Sequence, residues 1–456
     1  MRVFMLGWEF PPHISGGLGT ACYGLTKALD EIGVEVCFVL PTAIPVDTAS
    51  HVQFRSPTNL PGGWIARTAS RDQPPLPRDE FEHVELHQVD ACLYPYGTPE
   101  GYEEAIAELA RGGESATGPD QASQAAPGEQ ALPSQPAQQM PSGTFAAGAG
   151  PHYDGDLMAQ VHRYARLAVE LSRKETFDVV HAHDWMTFPG AMAVAAASGK
   201  PLVIHIHSTE FDRAGENVNK QIYDIERAAM HAAGRVVCVS FLTKSVISSR
   251  YDLPANRIEV VYNAVDIPRA DQLQMRPITR DEKIVLFLGR LTMQKGPEYF
   301  LRAAKKVVEK YQNVRFVVAG SGDMIAQCVR EVADLKLGQY VTFTGFLHGD
   351  DVARVFSMAD LYVMPSVSEP FGIAPLEALS HNVPVIISRQ SGVSEVLTHV
   401  LKVDFWDIDE MANKILAVLT HPPLQRALRQ HGQIELRRLS WRSSAMKLLE
   451  IYQEVA

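Results

Sequence analysis

Short apolar runs separated by amphipathic stretches recur along almost the whole chain. Residues 3–7, 35–40, 178–182, 202–206 and 235–239 form one set, and 284–289, 315–319, 341–344, 361–364 and 385–387 form a second. Each run is short, bounded by polar or turn residues and rich in Val, Ile, Leu and Phe, which predicts strands. Their apolar character is nearly continuous rather than alternating, so both faces are expected to be covered, as in parallel sheets with helices between the strands. The pattern predicts an α/β fold of two doubly wound, Rossmann-like parallel sheets. Such sheets bind ligands beyond the carboxyl ends of their strands. Helical spacing is clear at 20–32 and again at 441–456, where Ala445, Leu448, Leu449 and Tyr452 share a face.

Two stretches interrupt this alternation. Residues 267–283 are polar and hold two prolines, Pro268 and Pro277, which predicts a connection between the two sheets. The expected division is residues 1–270, residues 271–440, and a final helix, 441–456, that crosses back to the first part. Residues 112–151 are dominated by Gly, Ala, Ser, Pro and Gln, without lysine or arginine and with Phe145 as the one aromatic residue. That composition buries too little apolar surface to offset its ordering entropy, which predicts a disordered surface insertion.

A chain of 456 residues exceeds one ordinary core, in agreement with two units. The net charge of −11 argues against a nucleic-acid binder and against a basic membrane-surface protein. Five scattered cysteines contain no CxxC pair, so neither a disulfide framework nor a zinc ribbon is indicated. No apolar run approaches the ~18 residues of a membrane span. The expectation is a cytoplasmic protein with no transmembrane segment; the sequence leaves the oligomeric state open.

Candidate chemistry gathers at the predicted strand ends. The first strand leads through Trp8-Glu9-Phe10 into Ser15-Gly16-Gly17-Leu18-Gly19 and then a helix. Glycines there let backbone N–H groups approach an anion at the positive helix end, although the spacing differs from the GxGxxG fingerprint and a ligand-free turn uses the same residues. His181-Ala182-His183-Asp184-Trp185 and His205-Ile206-His207 lie at two further strand ends. His181 and His183 share a face, a geometry able to hold zinc, but no complete ligand set is evident and no metal is expected. His205 is expected in the core and His207 in the cleft. Arg290 closes the first strand of the second set and Lys295-Gly296 follows; two cations there suit a departing diphosphate. Glu369 and Glu377 lie eight residues apart in Ser368-Glu369-Pro370-Phe371-Gly372-Ile373-Ala374-Pro375-Leu376-Glu377. Paired carboxylates also serve glycoside hydrolysis, but phosphate-type cradles on both sheets would have no purpose there.

This constellation resembles the retaining glycosyltransferases of the GT-B fold, the group that includes glycogen and starch synthases and the family 4-type bacterial hexosyltransferases. The resemblance spans the chain outside the insertion and rests chiefly on Glu369 and Glu377. The residues 15–19 loop, residues 181–185, Asn263-Ala264-Val265-Asp266 and residues 289–296 support it. It implies a cleft between the two sheets, a hexose (glucose foremost) carried by ADP or UDP, and a carbohydrate acceptor such as an α-glucan. By the same resemblance Arg290 and Lys295 hold the donor diphosphate, assisted by the amides of Gly16, Gly17, Gly372 and Ile373, with Phe371 also on the donor side. Glu369 binds hydroxyls of the transferred sugar and Glu377 the donor ribose, while Gly322, Phe346 and Leu347 flank the base. His207 lies near the reacting centre, and Asp184, Trp185 and Asn263 lie on the acceptor side. No cofactor or metal is implied, nor any nucleic-acid partner. The chain departs from glycogen and starch synthases at Ile14, where they usually carry lysine, and at Glu377, often non-acidic in them. Polysaccharide, glycolipid or small-molecule acceptors, a sugar-nucleotide epimerase and a non-catalytic sugar binder remain alternatives on this fold.

Overall fold

In the computed structural model the described residues are 1–10, 16–41, 83–88, 156–266, 282–347 and 349–456. The proposed insertion at 112–151 and most of the connection at 267–283 lie outside them. The first sheet has seven strands: β1 (Arg2–Leu6), β2 (Glu35–Leu40), β3 (Val84–Gln88), β4 (Val179–His183), β5 (Leu202–Ile206), β6 (Arg235–Cys238) and β7 (Ile258–Val260). Their spatial order is β3-β2-β1-β4-β5-β6-β7, and every pair is parallel. The second sheet has six: β8 (Lys283–Leu288), β9 (Val314–Ala319), β10 (Val341–Gly345), β11 (Leu361–Met364), β12 (Val385–Ser388) and β13 (Leu401–Val403). Their order is β10-β9-β8-β11-β12-β13, again all parallel.

Both sheets are doubly wound. Chain order reverses between β1 and β4 in the first sheet and between β8 and β11 in the second, which opens a crevice at the carboxyl ends of those strands. The loops after all four strands carry the chemically distinctive residues. Three strands escape the apolar pattern. Lys402 and Glu259 break β13 and β7, which are three residues each, and β3 (VELHQ) is largely polar.

The strands are apolar on both faces because each sheet is covered on both. One buried cluster packs Phe4, Leu6, Val180 and Ile204 under the first sheet, and another packs Val285, Phe316 and Val363 under the second. The third is shared. It runs from Val3 and Met5 through Trp441, Leu448 and Tyr452 of the final helix to Leu286, Tyr362 and Leu376. The final helix, Trp441–Val455, is capped by the Ser440 hydroxyl and lies against the first helix, Gly17–Glu31. A Cβ at Gly24 would stand 2.2 Å from the Trp441 ring, so the small residue sets how closely the two helices approach. Ser444 Oγ donates to the Tyr262 carbonyl at 2.6 Å, and Lys447 Nζ to that of Val260 at 2.7 Å. The end of the chain is thereby fastened to the first sheet.

Removing the indole should leave a cavity in the shared core. Trp441→Ala is expected to lower unfolding stability by about 3–5 kcal/mol, measured by urea denaturation. A loss below ~1 kcal/mol would mean that the helix contributes little to that core.

Candidate functional site

The second sheet supplies the most tightly built part. After β8 the chain forms a short 3-10 turn, Met293–Lys295, ended by Gly296 in the left-handed region (φ +62°), and Pro297 then opens the helix Pro297–Val308. A Cβ on Gly296 would approach the Pro365 carbonyl to 2.5 Å. Only glycine lets this turn lie against the end of β11. The Val367 amide donates to the Gln294 carbonyl at 2.9 Å, joining the two loops. Lys295 Nζ then reaches Glu369 Oε2 at 2.6 Å, and Ser366 Oγ donates to the same oxygen at 3.1 Å. The side chains are 20% and 8% exposed, so the pair is mostly withdrawn from water. Backbone bonds fix Glu369 on both sides: its amide donates to the Gln390 carbonyl and its carbonyl accepts from Gly392.

Opposite stands a carboxylate to which sequence reasoning gave no role. Glu9, just after β1, is 4% exposed and accepts the Gly19 amide at 2.9 Å. A Cβ on Gly16 would sit 2.9 Å from Glu9 Oε2, so the glycine makes room for the carboxylate at the start of the helix. Burial pushes the Glu9 carboxyl up to about 7, against the pull of the Gly19 amide and of the Arg290 charge at the end of β8. The first-turn amides read as helpers for a diphosphate thus face a carboxylate of the chain itself. The signal was present in sequence as an acid ten residues before Gly19 in a glycine-rich strand-to-helix turn.

Asp184 and His207 hold the ends of β4 and β5 together. Asp184 adopts φ +59° and accepts the His207 amide at 2.7 Å and that of Ser208 at 3.4 Å. Burial raises its carboxyl to about 7, opposed by Arg213 and the His207 amide. Burial lowers the His207 ring to about 3, so it is neutral near pH 7, and its Nε2 meets His183 Nδ1 at 2.9 Å. Trp185 departs from the expected acceptor-side position. Beyond the left-handed turn at Asp184 its indole is 3% exposed and packs in the apolar cluster under the sheet. Asn263, 7% exposed, follows β7.

The far wall comes from stitched loops. The Leu291 amide donates to the Ser321 carbonyl at 2.8 Å, Gly320 to Gly345 at 2.8 Å, and Met324 back to Leu291 at 2.9 Å, which binds the segment around Gly322 to the loop of Arg290. Phe346 is 48% exposed beyond β10, while Leu347 is partly buried against the core. Phe371 and Ile373 are 2% and 8% exposed, so their side chains belong to the core and only their backbone is left for a ligand. Gly372 lies between them with φ +103°. Glu377, in the first turn of the helix Ala374–Ser380, has its carboxyl pushed up to about 7 by burial.

The loop bearing Glu369 is also bonded across the crevice. Ser368 Oγ donates to Asp212 Oδ1 at 2.7 Å, and Ser240 Oγ to the Pro370 carbonyl at 2.6 Å. Glu395 accepts the amides of Phe241 and Leu242 at 2.9 and 2.6 Å, placing a negative charge at the positive end of the helix Phe241–Arg250.

Three family models match the chain in succession: "Starch synthase catalytic domain" over residues 2–106, "Glycosyltransferase Family 4" over 133–269 and "Glycosyl transferases group 1" over 269–434. An uncharacterized glycosyltransferase of Methanocaldococcus jannaschii is 34% identical in a 252-position alignment that covers 51% of this chain and 64% of that one. The chain thus spans less than two thirds of that relative. The glycogen synthase of Mycobacterium tuberculosis is 25% identical over 99% of this chain and 94% of its own. Among solved structures, sucrose-phosphate synthase from Thermosynechococcus elongatus superposes with a TM-score of 0.62 at 18% identity, covering 99% and 98% of the two chains. Anabaena HepE in complex with UDP and glucose gives 0.64 at 15% identity over the whole of both. These likenesses establish the GT-B fold.

The buried Asp184 yields a signed pH effect. Its folded pKa of about 7 exceeds the ordinary value of 3.8, so its contribution to stability is fully present below pH ~4 and is lost as pH rises to about 7. Asn tolerates the left-handed backbone and keeps an acceptor oxygen. Asp184→Asn should therefore gain stability relative to the parent between pH 4 and pH 8, by roughly 2–4 kcal/mol, in urea titrations. A difference that does not change with pH would contradict a raised carboxyl.

Proposed function

We propose, for a chain built from GT-B glycosyltransferase domains of the group 1 and family 4 types, a retaining transfer of a hexose from a nucleotide diphosphate sugar to a carbohydrate hydroxyl. Glucose carried by ADP or UDP is the donor and an α-glucan the acceptor, a choice supported by the likeness to a glycogen synthase along 99% of the chain. The observation that carries the reading is the 2.6 Å contact between Lys295 and Glu369; Arg290, just past β8, adds a second cation whose charge is felt at Glu9.

In the free protein Glu369 holds the Lys295 ammonium where a second anion can join it. A diphosphate entering the crevice takes the ammonium and the Arg290 guanidinium as charge-assisted donors, and Glu369 turns to accept hydroxyls of the transferred sugar. Glu377 receives the ribose and Phe346 stacks on the base. As the bond between the anomeric carbon and the phosphate oxygen breaks, negative charge grows on the diphosphate, and the two fixed cations stabilise it more than they stabilise the bound substrate. The acceptor oxygen attacks from the face the phosphate is leaving, and its proton passes to the departing phosphate oxygen. Configuration is therefore retained without a protein nucleophile. His207, neutral through burial, offers its backbone or ring to the sugar without adding charge. The reaction as written needs no cofactor and no metal.

Arg290→Ala and Lys295→Ala should each lower turnover by about 100-fold or more, roughly 3–4 kcal/mol of transition-state stabilisation. Nucleotide release from ADP- or UDP-glucose, with glycogen present and EDTA in the buffer, measures this. Full turnover in both variants would remove the basis of the proposal, and release without acceptor would point to hydrolysis.

A further inference from the structure

The face of the first sheet under the final helix carries a stack of imidazoles that the proposed transfer does not use in full. Ring centroids are 5.4 Å apart for His181 and His205, 5.1 Å for His183 and His205, and 4.3 Å for His205 and His207. The pairing of β4 with β5 sets His183 directly beside His205, and His181 lies two residues back on the same face. All three of His181, His183 and His205 are at most 1% exposed. His181 Nε2, His183 Nε2 and both nitrogens of His205 are buried without a hydrogen-bond partner. Buried polar atoms are nearly always satisfied, so several orphaned nitrogens converging from three residues require an explanation. One nitrogen from each lies within 4.8 Å of the others.

We propose that His181, His183 and His205 form a buried site for one divalent transition-metal ion of the zinc, cobalt or nickel class. Imidazole nitrogen is the preferred donor for these ions. Magnesium and calcium are disfavoured, since they demand oxygen ligands and no carboxylate joins this trio among the described residues. Metal ligation requires unprotonated rings, and burial lowers all three, His181 to about 3. The surrounding bonds are those of an oriented ligand shell. His181 Nδ1 meets the Tyr452 hydroxyl and His183 Nδ1 meets His207 Nε2, which fixes both rings with the other nitrogen left for the ion. His205 has no hydrogen bond on either nitrogen. A tetrahedral shell with ~2.1 Å bonds needs nitrogens ~3.4 Å apart, so an ion would draw the three rings in from their present spacing of up to 4.8 Å. Water completes the shell. The ion's role is structural: it joins β4 to β5 and, through Tyr452, to the final helix.

The test uses the full untagged chain, produced in cobalt-supplemented medium and purified without a metal column. Elemental mass spectrometry should find about one cobalt per chain, with visible d–d absorption, and His181→Gln/His205→Gln should carry at least ~10-fold less cobalt while keeping its far-ultraviolet circular dichroism. Should the double variant fail to fold, His205→Gln alone serves, since that ring makes no hydrogen bond. Cobalt below about a tenth of an equivalent in the folded parent overturns the proposal, as does equal cobalt in parent and folded variant, which would mean adventitious surface binding.

Discussion

The ion pair between Lys295 and Glu369 is the contact from which the rest of the crevice takes its meaning. Mostly shielded from water, neither charge is easily left alone, because removing one partner leaves the other desolvated and uncompensated. The protein meets this constraint with backbone. A left-handed glycine folds the lysine turn against the end of β11, Ser366 shares the carboxylate, and Glu369 itself is bonded at both its amide and its carbonyl. The backbone around this ammonium is thereby fixed in place, and electrostatic stabilisation of the proposed kind depends on such positioning.

The geometry also depends on the two sheets being held to one another. Glu395 caps a helix of the first sheet's half, Ser368 reaches Asp212, and the final helix returns to the first sheet through Ser444, Lys447 and Tyr452. A shared apolar cluster lies under these polar contacts. Among the described residues, the halves are thus joined both by polar side-chain links and by a shared apolar core.

Much of this was legible in the chain, for physical reasons. Strands buried on both faces are apolar throughout, so ten of them stand out as runs, and Lys295, Arg290 and Glu369 are charges placed where such strands end. The three missed strands are polar or three residues long. Glu9 was hidden because a carboxylate beside glycines is unremarkable until the helix amides are seen to point at it. Trp185 was read as an acceptor-side residue; its indole is buried, beyond a left-handed turn at Asp184 that strand periodicity does not reveal. His205 was expected in the core and lies there; what sequence could not show is the strand register that sets it beside His183.

The proposed transfer requires the cations of the crevice to exchange an internal carboxylate for the donor's diphosphate. A crystal structure of the chain soaked with UDP-glucose or ADP-glucose tests it directly. The diphosphate is expected within hydrogen-bond reach of Lys295 Nζ and the Arg290 guanidinium, with sugar hydroxyls on Glu369. A nucleotide bound elsewhere, with the contact between Lys295 and Glu369 undisturbed, would overturn the proposed transfer.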